Sequence, residues 1–183
     1  SNFTKKLAIK IGIDKSKIHV IHPGIQKPIN IDAETKINAQ KYFTDSFPKI
    51  ITVSRLDKRK GHDKILMLIK NLKPKFPKIK YVSIGTGKEE SNLLDLSREL
   101  ALENQVTFLK NIDYNFKVSL IAEANLFLMP SRIEKKSVEG FGISFVEAGS
   151  YGIASIGGND GGESDAIVHD KTGLICNGNN LDS

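Results

Sequence analysis

The fold is decided by residues 50–72, IITVSRLDKRKGHDKILMLIKNL. The first five residues form a β-branched run of the kind that occupies buried strands. Residues 62–72 carry apolar side chains at helical spacing, which predicts an amphipathic helix. A basic loop, residues 55–61, joins the two. The stretch therefore predicts a strand, a loop and a helix, the repeating unit of a parallel α/β sheet.

The same alternation continues to the end of the chain. Strands are predicted at residues 80–84, 106–109, 126–129, 153–156 and 173–175, and helices at residues 89–103, 114–124, from Gly142 onward and at 164–168. Strands that alternate with crossover helices indicate an α/β fold with a doubly wound parallel sheet, Rossmann-like in type. Ligands of such sheets bind beyond the carboxyl ends of the strands.

The first 48 residues lack this rhythm and are interpreted as a connector. Within it we predict a leading helix at residues 3–11, a short strand at 18–21 and a further helix at 33–42. The Rossmann-like domain then comprises residues 49–183. Because Ser1 has no methionine before it and no helix follows the last predicted strand, we expect the chain to be cut at both ends.

Composition excludes several classes of protein. Hydrophobic residues make up 39% of the 183 residues, which suits one packed domain, and no apolar run is long enough to cross a bilayer. Cys176 is the single cysteine, so we expect a reducing, cytoplasmic location with at most peripheral contact to the inner face of a membrane. The formal net charge of +6 comes mostly from scattered lysines, which favours a solvated surface over nucleic-acid binding.

Two carboxylates stand out, Glu139 and Glu147, with Gly140 and Gly142 just after the first. If a helix begins near Gly142, Glu147 lies in its second turn and Glu139 lies in the loop before it. Free backbone N–H groups and the positive helix end meet there and favour an anion, usually phosphate. The two glutamates could instead be the acid and nucleophile of a glycosidase, because the sequence does not fix their separation.

The loops that follow the predicted strands gather at one edge of the sheet. The loop 55–61 supplies Arg55, Arg59 and Lys60 there, opposite the glycine-rich helix entry, and this combination predicts a diphosphate site. Taken alone, the basic run would be a solvated surface. The four histidines do not have metal-ligand spacing, so no metal is expected.

A second glycine loop, Gly85-Thr86-Gly87, follows the strand at residues 80–84. It begins like a dinucleotide-binding fingerprint, but Glu90 occupies the place of the third glycine. The loop therefore predicts a tight turn in which backbone segments approach closely, and no dinucleotide cofactor.

Taken in order, these motifs resemble the carboxyl-terminal, donor-binding domain of retaining glycosyltransferases of the GT-B fold, family four. The matching segments are Ser1–Thr4, Lys17–Gly24, Ser54–Gly61, Tyr81–Gly87, Val106–Phe108, Leu128–Ser131, Glu139–Ile143, Glu147-Ala148, Gly157-Gly158 and Thr172-Gly173. They cover nearly the whole chain, and the glutamate pair with Arg55 and Lys60 upstream is the specific part. Within the family, residues 129–143 look most like lipid-directed mannosyltransferases and surface-polysaccharide enzymes.

The resemblance implies a role for each matching residue. Arg55 and Lys60 would hold the diphosphate of a nucleotide-sugar donor and stabilise the leaving group without a metal ion. Glu139 would contact hydroxyls of the donor sugar. The remaining donor-binding residues would be Gly140, Phe141, Gly142 and Ile143 around the distal phosphate, Glu147 at the ribose, and Asn111 and Ile112 at the base.

The resemblance also implies a partner domain. An amino-terminal domain would hold the acceptor, a glycan or a lipid, so this chain alone would bind donor weakly and would not turn over; closing helices would follow residue 183. Two alternatives stay open, a nucleotide-sugar epimerase with His22 as its base and a non-catalytic sugar-nucleotide-binding or lectin-like module. No nucleic-acid partner and no cofactor beyond the donor itself are expected.

Overall fold

The computed structural model describes residues 1–180, which form a single α/β sheet structure. The strands are β1 (Lys49–Val53), β2 (Lys80–Ile84), β3 (Val106–Leu109), β4 (Leu126–Met129), β5 (Ala154–Gly158) and β6 (Gly173–Cys176). The helices are α1 (Asn2–Lys10), α2 (Ala33–Gln40), α3 (His62–Leu72), α4 (Glu90–Glu99), α5 (Tyr114–Glu123) and α6 (Ile143–Ser150). Short 3-10 helices lie at Lys15–Lys17, Lys41–Phe43, Lys58–Lys60 and Glu163–Asp165.

The six strands form one parallel sheet in the order β3-β2-β1-β4-β5-β6. This order confirms the predicted Rossmann-like fold. The strand order reverses between β1 and β4, so the loops that leave these two strands diverge and open a crevice at the carboxyl edge. The loop after β1 is residues 54–61, and the loop after β4 is residues 130–142.

Both faces of the sheet are covered by helices. On one face α3 and α4 pack Ile65, Ile69 and Leu93 against the sheet. The other face is covered by α2, α5 and α6. Phe43, just after α2, is 1% exposed and belongs to this second core, so part of the predicted connector contributes to the packed domain. Burying each such side chain stabilises the fold by about 1.5–3 kcal/mol.

The predicted strand at residues 18–21 is wrong. Exposure alternates along these residues as in a half-buried strand, but within the described chain they pair with no other strand. The Ile18 carbonyl accepts a hydrogen bond from Lys5 of α1 instead, at 3.4 Å. An alternating pattern reports burial only, and a strand also requires a partner for its backbone groups.

The helix predicted at residues 89–103 is shorter than expected and ends at Glu99. Ala101 has a left-handed backbone with φ of 52°. The Leu102 N–H then donates to the Ser97 carbonyl at 2.9 Å, which closes the helix end. Apolar periodicity does not reveal such a backbone reversal at an alanine.

The tight turn predicted at residues 85–87 is confirmed. The Leu56 N–H donates to the Thr86 carbonyl at 2.9 Å, so the turn is bonded to the loop after β1. A Cβ at Gly85 would overlap the Ser54 carbonyl, and one at Gly87 would lie 2.6 Å from the Leu56 carbonyl carbon. Glycine is needed here because the backbone of the turn touches the backbone of Ser54 and Leu56. This contact holds the start of the loop after β1 in place.

We expect Gly87→Ala to lower the free energy of unfolding by about 2–4 kcal/mol, because the added methyl group meets backbone that cannot move aside. The matched control is Gly149→Ala in α6, where an added Cβ has no heavy atom within 4 Å. That variant should be neutral or more stable by about 0.5–1 kcal/mol. Urea unfolding measures both, and equal losses in the two variants would contradict the close approach.

Candidate functional site

The crevice between β1 and β4 holds a cluster of three charged side chains. The Lys60 ammonium pairs with Glu139 Oε2, and Arg59 Nη1 donates to the same oxygen at 2.9 Å. The side chains of Lys60, Arg59 and Glu139 are only 10%, 11% and 12% exposed. The loops after the two central strands are thus joined by one carboxylate that two cations share.

The two paired groups shift each other's pKa. Burial raises the pKa of Glu139, but Lys60 and then Arg59 more than offset it, so the pKa lies below its ordinary range. Burial also lowers the pKa of Lys60, and the Glu139 charge offsets part of that effect. Glu139 is therefore a carboxylate at neutral pH and is held as an acceptor of hydrogen bonds.

A second ion pair fixes the loop after β4. The Arg132 guanidinium donates to both oxygens of Asp63 in α3, at 3.0 and 2.9 Å. Its backbone N–H donates to the Arg59 carbonyl at 2.8 Å. A bidentate arginine–carboxylate pair has a defined geometry as well as charge, so it holds the two loops in register.

Buried hydrogen bonds support the end of β1. The Thr52 hydroxyl donates to the Leu128 carbonyl of β4, and Tyr81 donates to Thr52 at 3.0 Å. His62 Nδ1 shares a hydrogen bond with the Tyr81 hydroxyl at 2.9 Å, and its Nε2 shares one with the Ser54 hydroxyl at 3.0 Å. Burial lowers the pKa of His62 to about 4, so the imidazole is neutral and joins the basic loop to the sheet.

The entry to α6 has the geometry expected of an anion site. Helix α6 begins at Ile143, and Gly142 before it has φ of 89°. No side chain caps this helix start in the described chain, so its first amides have no side-chain acceptor. The Phe141 ring stacks on His22 with centroids 5.3 Å apart. Gly140, next to it, accepts a hydrogen bond from the Ser1 hydroxyl.

Glu147 lies in the second turn of α6, as expected. Lys117 of α5 pairs with it at 2.6 Å, and the same ammonium lies 4.5 Å from the centroid of the Tyr114 ring. The Glu147 side chain is 14% exposed. The carboxylate is therefore mostly buried and is held in one orientation by the Lys117 ammonium.

The other predicted residues lie around this centre. Arg55 is 69% exposed and pairs with Asp57 of its own loop at 3.0 Å, so it does not touch the Glu139 cluster in the described chain. Asn111 and Ile112 follow β3; Asn111 has φ of 52°, and Ile112 packs against the core. The resemblance implies that Arg55 and Lys60 hold the diphosphate. Of these two, only Lys60 contacts Glu139 in the described chain, and the second cation in contact with Glu139 is Arg59.

Sequence reasoning missed Glu163. Its side chain is fully buried, and neither carboxyl oxygen has a hydrogen-bond partner among residues 1–180. Burial, with the nearby Glu139 charge, raises its pKa to about 7; its own backbone N–H, the nearby Ser131 hydroxyl and then the Lys60 charge offset part of this. A lone glutamate in a polar, glycine-rich stretch gives no sequence signal of burial.

Residues 1–180 contain neither a metal-binding cluster nor a helix that could span a membrane. No group of three or more histidine, cysteine, aspartate or glutamate side chains there is placed to hold a metal ion. None of the described helices has the length and apolar character needed to cross a membrane.

We expect Glu163→Gln to change how stability depends on pH. The carboxyl loses its proton near pH 4.5 when unfolded but near pH 7 when folded, so stability falls as pH rises between these values. Glutamine removes this effect. Relative to the wild-type chain, the variant should gain up to about 3 kcal/mol in free energy of unfolding from pH 4 to pH 8. Urea unfolding across that range measures it, and a pH-independent difference would contradict the raised pKa.

Comparison with known proteins shows which family the chain belongs to. The profile of the glycosyl transferases group 1 family matches residues 34–183. A GDP-mannose-dependent alpha-(1-6)-phosphatidylinositol monomannoside mannosyltransferase of Mycobacterium tuberculosis is 30% identical over 145 residues, 78% of this chain. A GDP-mannose-dependent monoacylated alpha-(1-6)-phosphatidylinositol monomannoside mannosyltransferase of Corynebacterium glutamicum is 32% identical over 142 residues, 76% of this chain. The chain spans only 38% and 36% of the length of these two relatives.

Solved structures share the fold. A glycosyltransferase of Rickettsia africae superposes with a TM-score of 0.83 at 24% identity, over 99% of this chain and 48% of its own. An Anabaena protein crystallised with UDP superposes with a TM-score of 0.79 at 21% identity, over 97% of this chain and 48% of its own. The profile match to residues 34–183 and the two relatives at 30% and 32% identity together establish that the chain belongs to the glycosyl transferases group 1 family.

Proposed function

We propose that this chain is the donor-binding part of a glycosyltransferase that moves a sugar from a nucleoside-diphosphate sugar to an acceptor, with retention at the anomeric carbon. The observation that carries the proposal is the carboxylate of Glu139, shared by Lys60 and Arg59 in the crevice between β1 and β4. Two cations beside one carboxylate leave positive charge for a diphosphate. The uncapped start of α6 lies at the same edge of the sheet.

The diphosphate would bind between the basic loop and the α6 entry. Lys60 and Arg59 would face its oxygens, and Arg55 would leave Asp57 to join them. The amides of Phe141, Gly142 and Ile143, beside Gly140, would contact the distal phosphate. As the bond between the sugar carbon and the phosphate oxygen breaks, negative charge grows on the diphosphate, and fixed cations lower the barrier to that step.

Glu139 would bind the donor sugar. Since its pKa is held low, it accepts hydrogen bonds and has no proton to give. In the reaction the acceptor hydroxyl forms the new bond to the anomeric carbon, and its proton leaves with the nucleoside diphosphate. Retention is the outcome that the resemblance to retaining enzymes supports.

Glu147 would bind the ribose. Its ion pair with Lys117, 2.6 Å long, keeps the carboxylate oriented until two ribose hydroxyls replace the ammonium. Asn111 and Ile112, at the end of β3, would lie beside the base.

The relatives suggest which donor and acceptor to test first. The mycobacterial and corynebacterial relatives are named for GDP-mannose and a phosphatidylinositol mannoside, so GDP and a lipid-linked acceptor come first, with UDP next because the Anabaena structure contains it. The acceptor domain lies outside this sequence in the proposal. A role in building surface glycans or glycolipids follows from the same reasoning.

Neither alternative has a specific observation in its favour. As an epimerase base, His22 would have to face the sugar, but its ring stacks on Phe141 and lies 3.8 Å from Asp165. A lectin-like module would bind free sugar without needing cations at a diphosphate.

We expect the chain to bind at least one of GDP, UDP and ADP in calorimetric titrations, and Lys60→Met to weaken that binding at least about tenfold, since one fixed charge is lost from the diphosphate site. Lys58→Met is the matched control, because Lys58 is exposed on the same loop. Its affinity should change less than about threefold. No binding of any nucleotide to the folded chain would reject the proposal.

We expect Glu147→Ala to separate the ribose from the phosphates. The variant should lose about five- to fiftyfold in affinity for the nucleoside diphosphate, because buried ribose hydroxyls lose a charged acceptor. Its affinity for inorganic pyrophosphate should change less than about twofold, since that probe has no ribose. Equal losses for both probes would assign Glu147 a structural role instead.

A further inference from the structure

A buried acid lies directly behind the backbone of Glu139. Glu163 follows the glycine loop after β5, and both of its carboxyl oxygens lack a hydrogen-bond partner within residues 1–180. Gly161 separates the two glutamates: a Cβ at Gly161 would overlap the Glu139 carbonyl and lie 2.7 Å from Glu163 Oε2. The Gly162 N–H donates to that same carbonyl at 2.8 Å. The segment with the buried acid is therefore bonded to the site.

The charges around this acid are few and known. From the loop after β1 comes Lys60, and from the loop after β4 comes Glu139, which also binds Arg59. Asp165 lies on the same turn as Glu163. Its carboxylate accepts a hydrogen bond from the Asn2 side-chain amide at 3.2 Å and lies 3.8 Å from His22 Nε2. Arg59, Lys60, Glu139 and Glu163 together have a net charge of +1 when Glu163 is neutral and zero when it is ionised.

We propose that Glu163 is a positioning residue that must be protonated for the donor diphosphate to bind, so that nucleotide binding takes up a proton at this buried carboxyl. The inference rests on the proposed donor site. An ionised Glu163 would cancel the charge that attracts the diphosphate and would compete with Glu139 for the Lys60 ammonium. A bound diphosphate would in turn disfavour that ionisation by repulsion.

The protonation equilibrium lies in an accessible range. The pKa of Glu163 is raised to about 7, so both forms are populated near neutral pH. Above that pH the free chain would have to gain a proton in order to bind. The dissociation constant should then rise by up to about tenfold per pH unit, which is the limit for uptake of one proton.

The test is calorimetric titration of the 183-residue chain with GDP and with UDP at pH 6.5 and pH 8.5, each in two buffers of different ionisation enthalpy. The wild-type chain should take up close to one proton per nucleotide at pH 8.5 and fewer at pH 6.5. Glu163→Gln has a permanently neutral side chain and should take up none through this position. Glu103→Gln, an exposed glutamate before β3, is the matched control and should behave as wild type.

Each outcome decides the matter. Equal uptake in the wild-type chain and in Glu163→Gln, or binding without uptake at pH 8.5, overturns the inference and leaves the donor site standing. Absence of nucleotide binding at both pH values overturns the proposed donor site and the inference with it. Proton uptake by the wild-type chain that Glu163→Gln loses supports both.

A measurement on the wild-type chain alone tests the inference even if Glu163→Gln does not fold. Carbon-detected NMR of the wild-type glutamate carboxyls should show one group that titrates near pH 7 and moves to higher pH when GDP or UDP is added. If no carboxyl titrates between pH 6 and pH 8, or if nucleotide leaves that titration unchanged, the inference is wrong.

Discussion

The architecture of the crevice depends on one shared carboxylate. Glu139 receives Lys60 and Arg59 where all three side chains are about nine-tenths buried. Removing charges from water is costly unless each finds a partner, so the loops that carry them must meet in one arrangement. The bidentate pair of Arg132 with Asp63 meets the same demand on the helix side of the crevice. The two loops therefore hold one conformation at this edge of the sheet, because that conformation pairs the buried charges.

Much of this fold could be predicted from local sequence patterns, because all six strands and most of the helices lie where those patterns place them. The helix predicted at residues 164–168 is the exception, since only the short 3-10 helix Glu163–Asp165 forms there. The errors have physical causes that lie outside local pattern. Residues 18–21 alternate like a strand but find no partner, and α4 ends early at a left-handed Ala101. The spacing of apolar residues along the sequence shows neither whether a strand finds a hydrogen-bonding partner nor where a single residue takes a left-handed conformation.

For the site, the sequence placed Lys60 and Glu139 at one edge through the rule on strand ends, and they are in contact. It did not single out Arg59 over Arg55, since two arginines four positions apart on a loop look alike until side-chain directions are known. His62 and Glu163 were missed because burial alone changes their chemistry. The donor-binding roles assigned to the site residues all stay predictions: Arg55, Lys60, Glu139, Gly140, Phe141, Gly142, Ile143, Glu147, Asn111 and Ile112.

The stacked pair of His22 and Phe141 has a mechanical consequence. Together with the bonds from Ser1 to Gly140 and from Asn2 to Asp165, it fastens the leading segment to both loops that border the α6 entry. A displacement of that segment would pull on the backbone that presents the amides. The position of residues 1–22 and the shape of the α6 entry are therefore coupled through these contacts.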